Sequence, residues 1–552
     1  MSEYVERPQR RSAALWPIFF VWLLFSGVSL LGTSVPGVNE PHYVCKARSL
    51  VIPDWCERDF FLRSANVHWC FLLLTGWWSV WSSFGAVVIA GRLLQSLVLA
   101  FGFVRLSGAV GLSGWGGVIS AAIFALLTQL GSFSGEWILG GYESKVPAWG
   151  LGWAALGMWI EGSVRRCPRT LCFAGLCCGL GVSLHPVVGG WFGLGIGGGC
   201  FIWVICRGQL KTELVGPGMF GLASVLAASP GLIPAIRFLL TGGEQATVRD
   251  RSIFVQVYWR LRHHMDPTAI TLEQWCYAGA LLGVIVALGI LLQRGTRFRS
   301  EFARGADPES LLRLQLVLLV AITAAAAGVL LGWHESSVER MTDWQWRGRL
   351  LRFYPFRFFD GMLPVVAAMT AVLAAGRSLR GSEERRGETE SPALPRETTA
   401  PGLIRFLCLP VLFLAAWGLA LSERRDVPAG YSAAGWRDWR AACQWLRANT
   451  EKSALVLTPR ESFAFKWLSE RAEYVCYKDC PQDPAGIVEW DQRLWRVHQW
   501  SAESLRDGRY DAGDCARLRV QMGCDYVLIR GQEPFEAVPE WAGEYWKIYR
   551  IH

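Results

Sequence analysis

Residues 14–43 read ALWPIFFVWLLFSGVSLLGTSVPGVNEPHY: an apolar run, residues 14–32, gives way to the polar sequence Asn39-Glu40-Pro41-His42-Tyr43. The run is long enough to cross a bilayer as a helix, which satisfies its own backbone polar groups in lipid. Arg7, Arg10 and Arg11 precede it, and no clear A-x-A cleavage site follows. It therefore reads as an uncleaved first span with its N-terminus in the cytoplasm. The polar stretch 33–65 is then an outer loop. Residues 68–81 carry Trp69, Trp77, Trp78 and Trp81. Trp prefers the membrane interface, so this stretch reads as a helix lying along the outer surface. Together the two make a first outer segment, residues 33–83.

Outward from this stretch the pattern repeats. Of 552 residues, 52% are hydrophobic and 18% charged, too little charge for a soluble protein of this size. Further spans are expected at 84–104 (with Arg92 inside it), 116–130, 148–160, 171–184, 187–205, 214–240 (broken by Pro217, Pro230 and Pro234), 275–292, 312–331, 361–375 and 403–421. Arg165, Arg166 and Arg169, and later Arg294, Arg297, Arg299 and Arg304, mark their loops as cytoplasmic. Residues 376–402 contain a charged, Pro-rich stretch and read as a disordered cytoplasmic linker. The expectation for residues 1–421 is an all-α polytopic membrane bundle of about eleven transmembrane helices. The net charge of +9 is shared among short loops and the C-terminal region, a pattern of topology signals and lipid contact that argues against nucleic acid as a partner. The 16 cysteines lie mostly in apolar segments and show no CxxC or Cys/His metal spacing, as small hydrophobes do.

From residue 422 the character becomes that of a small α/β domain, residues 422–552. Residues 436–449 have helical periodicity, and 454–459, 473–477 and 525–529 read as strands. An odd number of spans starting inside places this domain outside. There Cys443, Cys476, Cys480, Cys515 and Cys524 could form disulfides.

Five polar clusters then fall on the outer face: the opening loop, Glu143 with Lys145, His185-Pro186, and two Arg-rich loops around residues 249–266 and 334–357. Glu143 and Lys145 are expected to partner other loops more than each other. Arginine outside the membrane runs against the usual charge bias. Either these residues tie loops together as ion pairs, or they bind phosphate through their planar fork of donors. A carboxylate facing such a pocket could serve as general base for a hydroxyl acceptor.

The order Asn39-Glu40, Tyr43, Ala47-Arg48, Asp54-Trp55 resembles the first outer loop of the GT-C superfamily. These are polytopic glycosyltransferases that use polyprenyl-phosphate sugars, the aminoarabinose transferase and protein O-mannosyltransferase families among them. Asn39 stands where those families usually have Asp. The whole chain is also similar to an uncharacterised bacterial membrane family, best known from planctomycetes. The shared motifs are Asn-Glu-Pro-His-Tyr, Gly141 to Lys145, His185-Pro186, Arg352 to Arg357 and Lys478 to Asp483. The first resemblance implies a GT-C-like bundle in a bacterial inner membrane, with the C-terminal domain extracytoplasmic. It would move a sugar from a polyprenyl-phosphate donor to an acceptor on the outer face. Glu40 or Asp59 would be the base or metal-contacting acid; Arg349, Arg352 and Arg357, with Lys145, would hold the lipid phosphate. His42, Tyr43, Glu143 and His185 would line the substrate cavity. Some relatives use a divalent metal and others none. The rival expectation is a non-catalytic membrane protein, a lipid or solute transporter or a scaffold. Its outer acids and arginines would disperse as separate ion pairs.

Overall fold

Long apolar sequence becomes helix at each of the eleven expected places: Trp16–Gly32, Phe84–Ala109, Gly114–Leu130, Lys145–Val164, Pro168–Leu184, Pro186–Arg207, Val215–Leu240, Leu272–Gln293, Pro308–Gly332, Pro355–Gly387 and Ala400–Glu423. The computed structural model describes residues 15–207, 215–240, 245–293, 308–387 and 400–552. Arg7, Arg10, Arg11, the basic residues Arg294 to Arg304 and residues 388–399 of the expected linker lie outside the described residues. Among those described, six helical stretches are long and apolar enough to cross a membrane, and four more apolar helices are shorter. The chain is a mostly helical, multi-pass membrane protein.

The bundle centres on Lys145–Val164, where Trp149 and Trp153 are fully buried and Trp149 meets Phe192 at 5.2 Å between ring centroids. Small residues let backbones approach, as membrane helices require in the absence of a hydrophobic drive between them. The expected break at the prolines does not occur: Val215–Leu240 runs unbroken through Pro230 and Pro234. Ser183 of the neighbouring helix donates its hydroxyl to Ala227 O (2.7 Å) and accepts from Gly231 N (3.3 Å), which helps satisfy backbone groups disturbed by the prolines.

Residues 33–65 are not simply a loop. Glu40–Val51 is a helix, started by Pro41 in its first turn, a position where a missing N–H costs nothing. Its Ala47 backbone packs directly on Gly76 of Trp69–Trp81, where any Cβ would collide. That second helix buries Phe71, Leu72 and Thr75 and leaves Trp69, Trp77, Trp78 and Trp81 exposed.

The C-terminal residues carry a five-stranded sheet of order β2-β1-β3-β5-β4, with β1 Leu455–Leu457, β2 Ala472–Glu473, β3 Tyr526–Arg530, β4 Trp541–Ala542 and β5 Trp546–Arg550. β1 is parallel to β2 and β3, while β5 is antiparallel to β3 and β4. Alternation along the strands divides its faces. Val456, Leu528 and Ile548 pack with Trp439 of helix Ala433–Asn449. Leu455, Leu457, Val527 and Tyr549 share a core with Trp490, Trp500 and, continuously, Val44, Cys45 and Phe61 of the first outer segment. Arg58 Nη2 donates to Gly523 O (2.6 Å) and Arg251 pairs with Asp491 (2.6 Å), pinning the sheet to the outer segments. The disulfides considered above are not formed: Cys443, Cys476, Cys480, Cys515 and Cys524 are free thiols, three of them buried, with Cys443 and Cys524 inside these cores.

Candidate active site

Glu40 opens its helix with the side chain turned inward, and it and Arg92 are both fully shielded from solvent. One Glu40 oxygen accepts from Arg92 Nε (2.7 Å) and Tyr142 N (2.6 Å), the other from Arg92 Nη2 (2.9 Å) and Gly37 N (2.6 Å). Arg92 spends its remaining donors on the carbonyls of Thr33 and Ser34. Both carboxylate oxygens are committed, so the acid expected to be the base is a clasp between the first outer segment, the second apolar helix and the loop before Glu143. Asp59 is likewise buried. It caps Phe60–Arg63 through Leu62 N (2.9 Å), accepts from Glu473 N (3.0 Å) and lies 3.4 Å from Lys466. Burial raises its pKa, against the pull of Lys466.

Other expected residues do come together. Helix Pro355–Gly387 positions them: its Asp360 accepts from Phe133 N (2.6 Å), Ser134 N (2.8 Å) and Glu136 N (3.0 Å), tying down the loop before Lys145–Val164. Glu136 then meets Arg357 at 2.9 Å and Lys145 at 3.9 Å. Lys145 pairs with Glu143 at 3.4 Å, contrary to the expectation that they seek other loops, because Glu143 also accepts from Asn39 (2.9 Å) and is turned toward the same pocket. Arg357 stacks 4.0 Å from the ring centroid of Tyr354. Tyr354 takes φ +56°, a costly conformation for a bulky side chain. Tyr43 faces this group, and its phenol is pushed up by burial and by Glu143. Arg349 is elsewhere, on an exposed pair with Asp250 (3.2 Å), and Arg352 is half-buried at the end of helix Trp344–Leu351.

Imidazoles line the same region. His185 stacks on His68 at 4.5 Å and His263 on His264 at 4.0 Å between centroids. Val188 N–H donates to His185 Nδ1 (3.2 Å), which puts the proton of the neutral ring on Nε2. His68 Nδ1 is buried without a hydrogen-bond partner. Burial, reinforced by Arg357, pushes His68 down to about 3; burial, with His263 and Arg357, pushes His264 down to about 2.

His42 is the most reactive of these by geometry. Its Nδ1 lies 3.0 Å from Asp479 Oδ1, and its side chain keeps 20% of its exposure. Asp479 is in turn held by Lys466 at 2.6 Å. Burial works to raise the Asp479 pKa, but Lys466 and the His42 hydrogen bond outweigh it and keep the group ionised. With Nδ1–H given to that carboxylate, the lone pair of His42 Nε2 is left for a reacting group. Burial keeps His42 below its usual range despite Asp479, hence neutral. His42, Pro41, Lys466 and Lys478 border a narrow cleft with a volume of about 20 Å³. Sequence reasoning missed Asp479, Lys466 and Glu136; the signals were Lys478-Asp479 in a shared motif and Glu136 interrupting an apolar region.

Among the described residues one group has metal-like proximity, Glu473, Cys476 and Asp479, with ligand atoms within 4.8 Å of one another. It does not fit a resident divalent ion. Lys466 Nζ lies 2.8 Å from Glu473 and 2.6 Å from Asp479, and the other Glu473 oxygen accepts from Thr458 and Ser462. The ammonium is already the counter-ion.

Residues 437–497 match a family described as a domain of unknown function, DUF6798. No curated protein matches the chain. Two similar solved structures are both from Archaeoglobus fulgidus. One is the archaeal oligosaccharyltransferase AglB in complex with an inhibitory peptide and a dolichol-phosphate, at 12% identity and TM-score 0.44, covering 94% of this chain and 69% of that one. The other is an oligosaccharyltransferase complex with Zn and sulfate, at 12% identity and TM-score 0.42, covering 93% and 68%.

Proposed function

We propose that the chain is a GT-C-type membrane glycosyltransferase that moves a sugar from a polyprenyl-phosphate donor to a hydroxyl acceptor. It crosses a bacterial inner membrane eleven times and keeps its C-terminal domain outside. The observation that carries this reading is the juxtaposition of two chemistries. The His42–Asp479 pair supplies a neutral, oriented base, and Arg357 with Lys145, held by Glu136 and Glu143, forms an ion cluster beside it. His68 bridges them, within electrostatic reach of both Arg357 and His42. The dispersed pairs that a non-catalytic protein would show are present too, as Arg349–Asp250, Arg251–Asp491 and Arg262–Asp266. They account for Arg349, Arg251 and Arg262 and leave the central cluster standing.

In the reaction, the acceptor hydroxyl gives its proton to His42 Nε2 as its oxygen bonds to the anomeric carbon. The bond from that carbon to the phosphate oxygen breaks, and the lipid phosphate leaves with the electron pair. Asp479 fixes the imidazole tautomer and stabilises the imidazolium. Arg357 and Lys145 offset the extra negative charge on the departing phosphate, in a site where burial strengthens each interaction. Tyr43, Glu143 and His185 line the donor side. Glu40 and Asp59 build the scaffold, and no step is routed through a metal. The test is a mass-spectrometric survey of glycans and lipid-linked sugars in a deletion strain complemented with wild type, H42N, D479N or R357M. Wild type should restore the missing glycan while the variants insert normally and fail. Full restoration by both H42N and R357M would sink the reading.

A further inference from the structure

Lys478 is carried by the C-terminal domain, immediately before Asp479, and borders the same cleft as His42. Among the described residues its ammonium makes neither an ion pair nor a hydrogen bond. The acids within its electrostatic reach are Glu143 and Asp479, and both are taken: Glu143 by Lys145 and Asn39, Asp479 by His42 and Lys466. Two other cations, Arg260 and Lys145, also act on it. Arg260 is fixed there by donating to the carbonyls of Tyr477 (3.2 Å) and Lys478 (3.4 Å) while stacking 4.5 Å from the Tyr477 ring centroid. Burial, then Arg260, lowers the Lys478 pKa. An unpaired, half-buried ammonium among like charges is costly. Removing it breaks no hydrogen bond or ion pair among the described residues, which leaves it free for a partner from outside the chain. Arg357 and Lys145 are matched by Glu136 and Glu143, and Lys478 and Arg260 stand beside that group as two further cations, an excess that matches a dianion.

We propose that Lys478 closes a phosphate cradle over Arg357 and Lys145, so that the C-terminal domain completes the donor site, and that the ligand is the phosphate monoester headgroup of a polyisoprenyl lipid. The proposal rests on the glycosyltransferase reading and deepens it: the product lipid phosphate carries one more negative charge than the sugar-linked diester, and the cradle favours the more charged state. It also gives the C-terminal domain a direct part in binding.

The experiment is thermal unfolding of the purified full-length chain in detergent, titrated with citronellyl phosphate and, separately, inorganic phosphate. Wild type should be stabilised by citronellyl phosphate at concentrations at least about tenfold below those needed for inorganic phosphate. K478M should unfold normally without ligand and need at least about tenfold more citronellyl phosphate; K478R and the exposed control K452M should behave as wild type. K478M binding as tightly as wild type would overturn the role of Lys478 and leave Arg357 and Lys145 as the donor site. An equal response to inorganic phosphate would overturn the lipid assignment. No response of wild type to either compound would overturn the phosphate site altogether, and with it the reading on which this proposal rests.

Discussion

Glu40 and His42 lie two positions apart in the motif that first suggested chemistry, and burial decides between them. A carboxylate with both oxygens used and no exposure can be a clasp, whereas a base needs an unspent lone pair beside open space. Removing one member of a buried pair strands the other, at a cost of about 3–5 kcal/mol. Glu40→Ala should therefore lower stability by that order in thermal unfolding. The double variant E40A/R92A should be less damaged than the sum of the single changes, because it leaves no lone charge behind. A normally folded, stable E40A protein would contradict the clasp. The residue-level signal in the sequence was half legible. The spacing of Asn39-Glu40, Tyr43 and Ala47-Arg48 marked an important acid, but residue type cannot tell how many donors reach its oxygens. Arg92 was visible only as a charge inside an apolar run, and nothing in the one-dimensional order joins it to a residue 52 positions earlier. Likewise His42 and Asp479 are separated by 437 positions, so their pairing became visible only once the C-terminal sheet sat on the outer segment.

At the scale of elements, apolar length announces helices well because lipid permits little else. The same logic explains the misses. The helix Glu40–Val51 has no long apolar run, and its Glu, Pro and His residues mimic a loop. Strands β4 and β5 follow no long alternating run. Helix pairing was invisible too, because it depends on glycines whose partners are far away in sequence. Gly102 of Phe84–Ala109 approaches the Gly150 carbonyl so closely that any Cβ there would overlap it. A Cβ on Gly150 would in turn lie 2.6 Å from Val98 O, and backbone cannot move aside as a flexible side chain does. Gly102→Val should cost at least about 1–3 kcal/mol, the usual range for overpacking, and should separate the two helices that present Arg92 and Lys145. Gly108→Val, facing open space in the same helix, is the matched control. Equal unfolding temperatures for the two variants would refute this packing account.

Across the whole molecule, the C-terminal sheet region and residues 33–83 share one electrostatic joint. Lys466, only 5% exposed, is the common partner of Asp59, Glu473 and Asp479. Its loss strands three carboxylates, two on the domain and one on the first outer segment. Lys466→Met should loosen docking and speed trypsin cleavage at Arg424 or Arg425 in the exposed connection; an unchanged digestion rate would refute the joint. Acid should loosen the same assembly by a different route. His42, His68 and His264 are held neutral by burial, with folded-state pKa values below the ordinary imidazole value of about 6.5, about 3 for His68 and about 2 for His264. The unfolded chain therefore binds protons more readily than the fold. Stability is unaffected by these groups above about pH 6.5 and falls as pH drops below it, by up to about 1.4 kcal/mol per pH unit for each histidine until its own folded-state pKa is reached. Asp479 is shifted in the same direction but acts in a lower window. Its pKa is held below the ordinary carboxylate value, so its stabilising contribution is intact above about pH 4 and is lost only below it. Loss between pH 6.5 and 4 thus belongs to the imidazoles. Unfolding temperatures of the purified chain should decline steadily from pH 7 to pH 5 in constant salt, and His68→Gln should flatten that slope because a neutral amide takes up no proton. A profile flat over that range in wild type would mean that the imidazoles are charged or solvated, and the neutral base assigned to His42 would lose its footing.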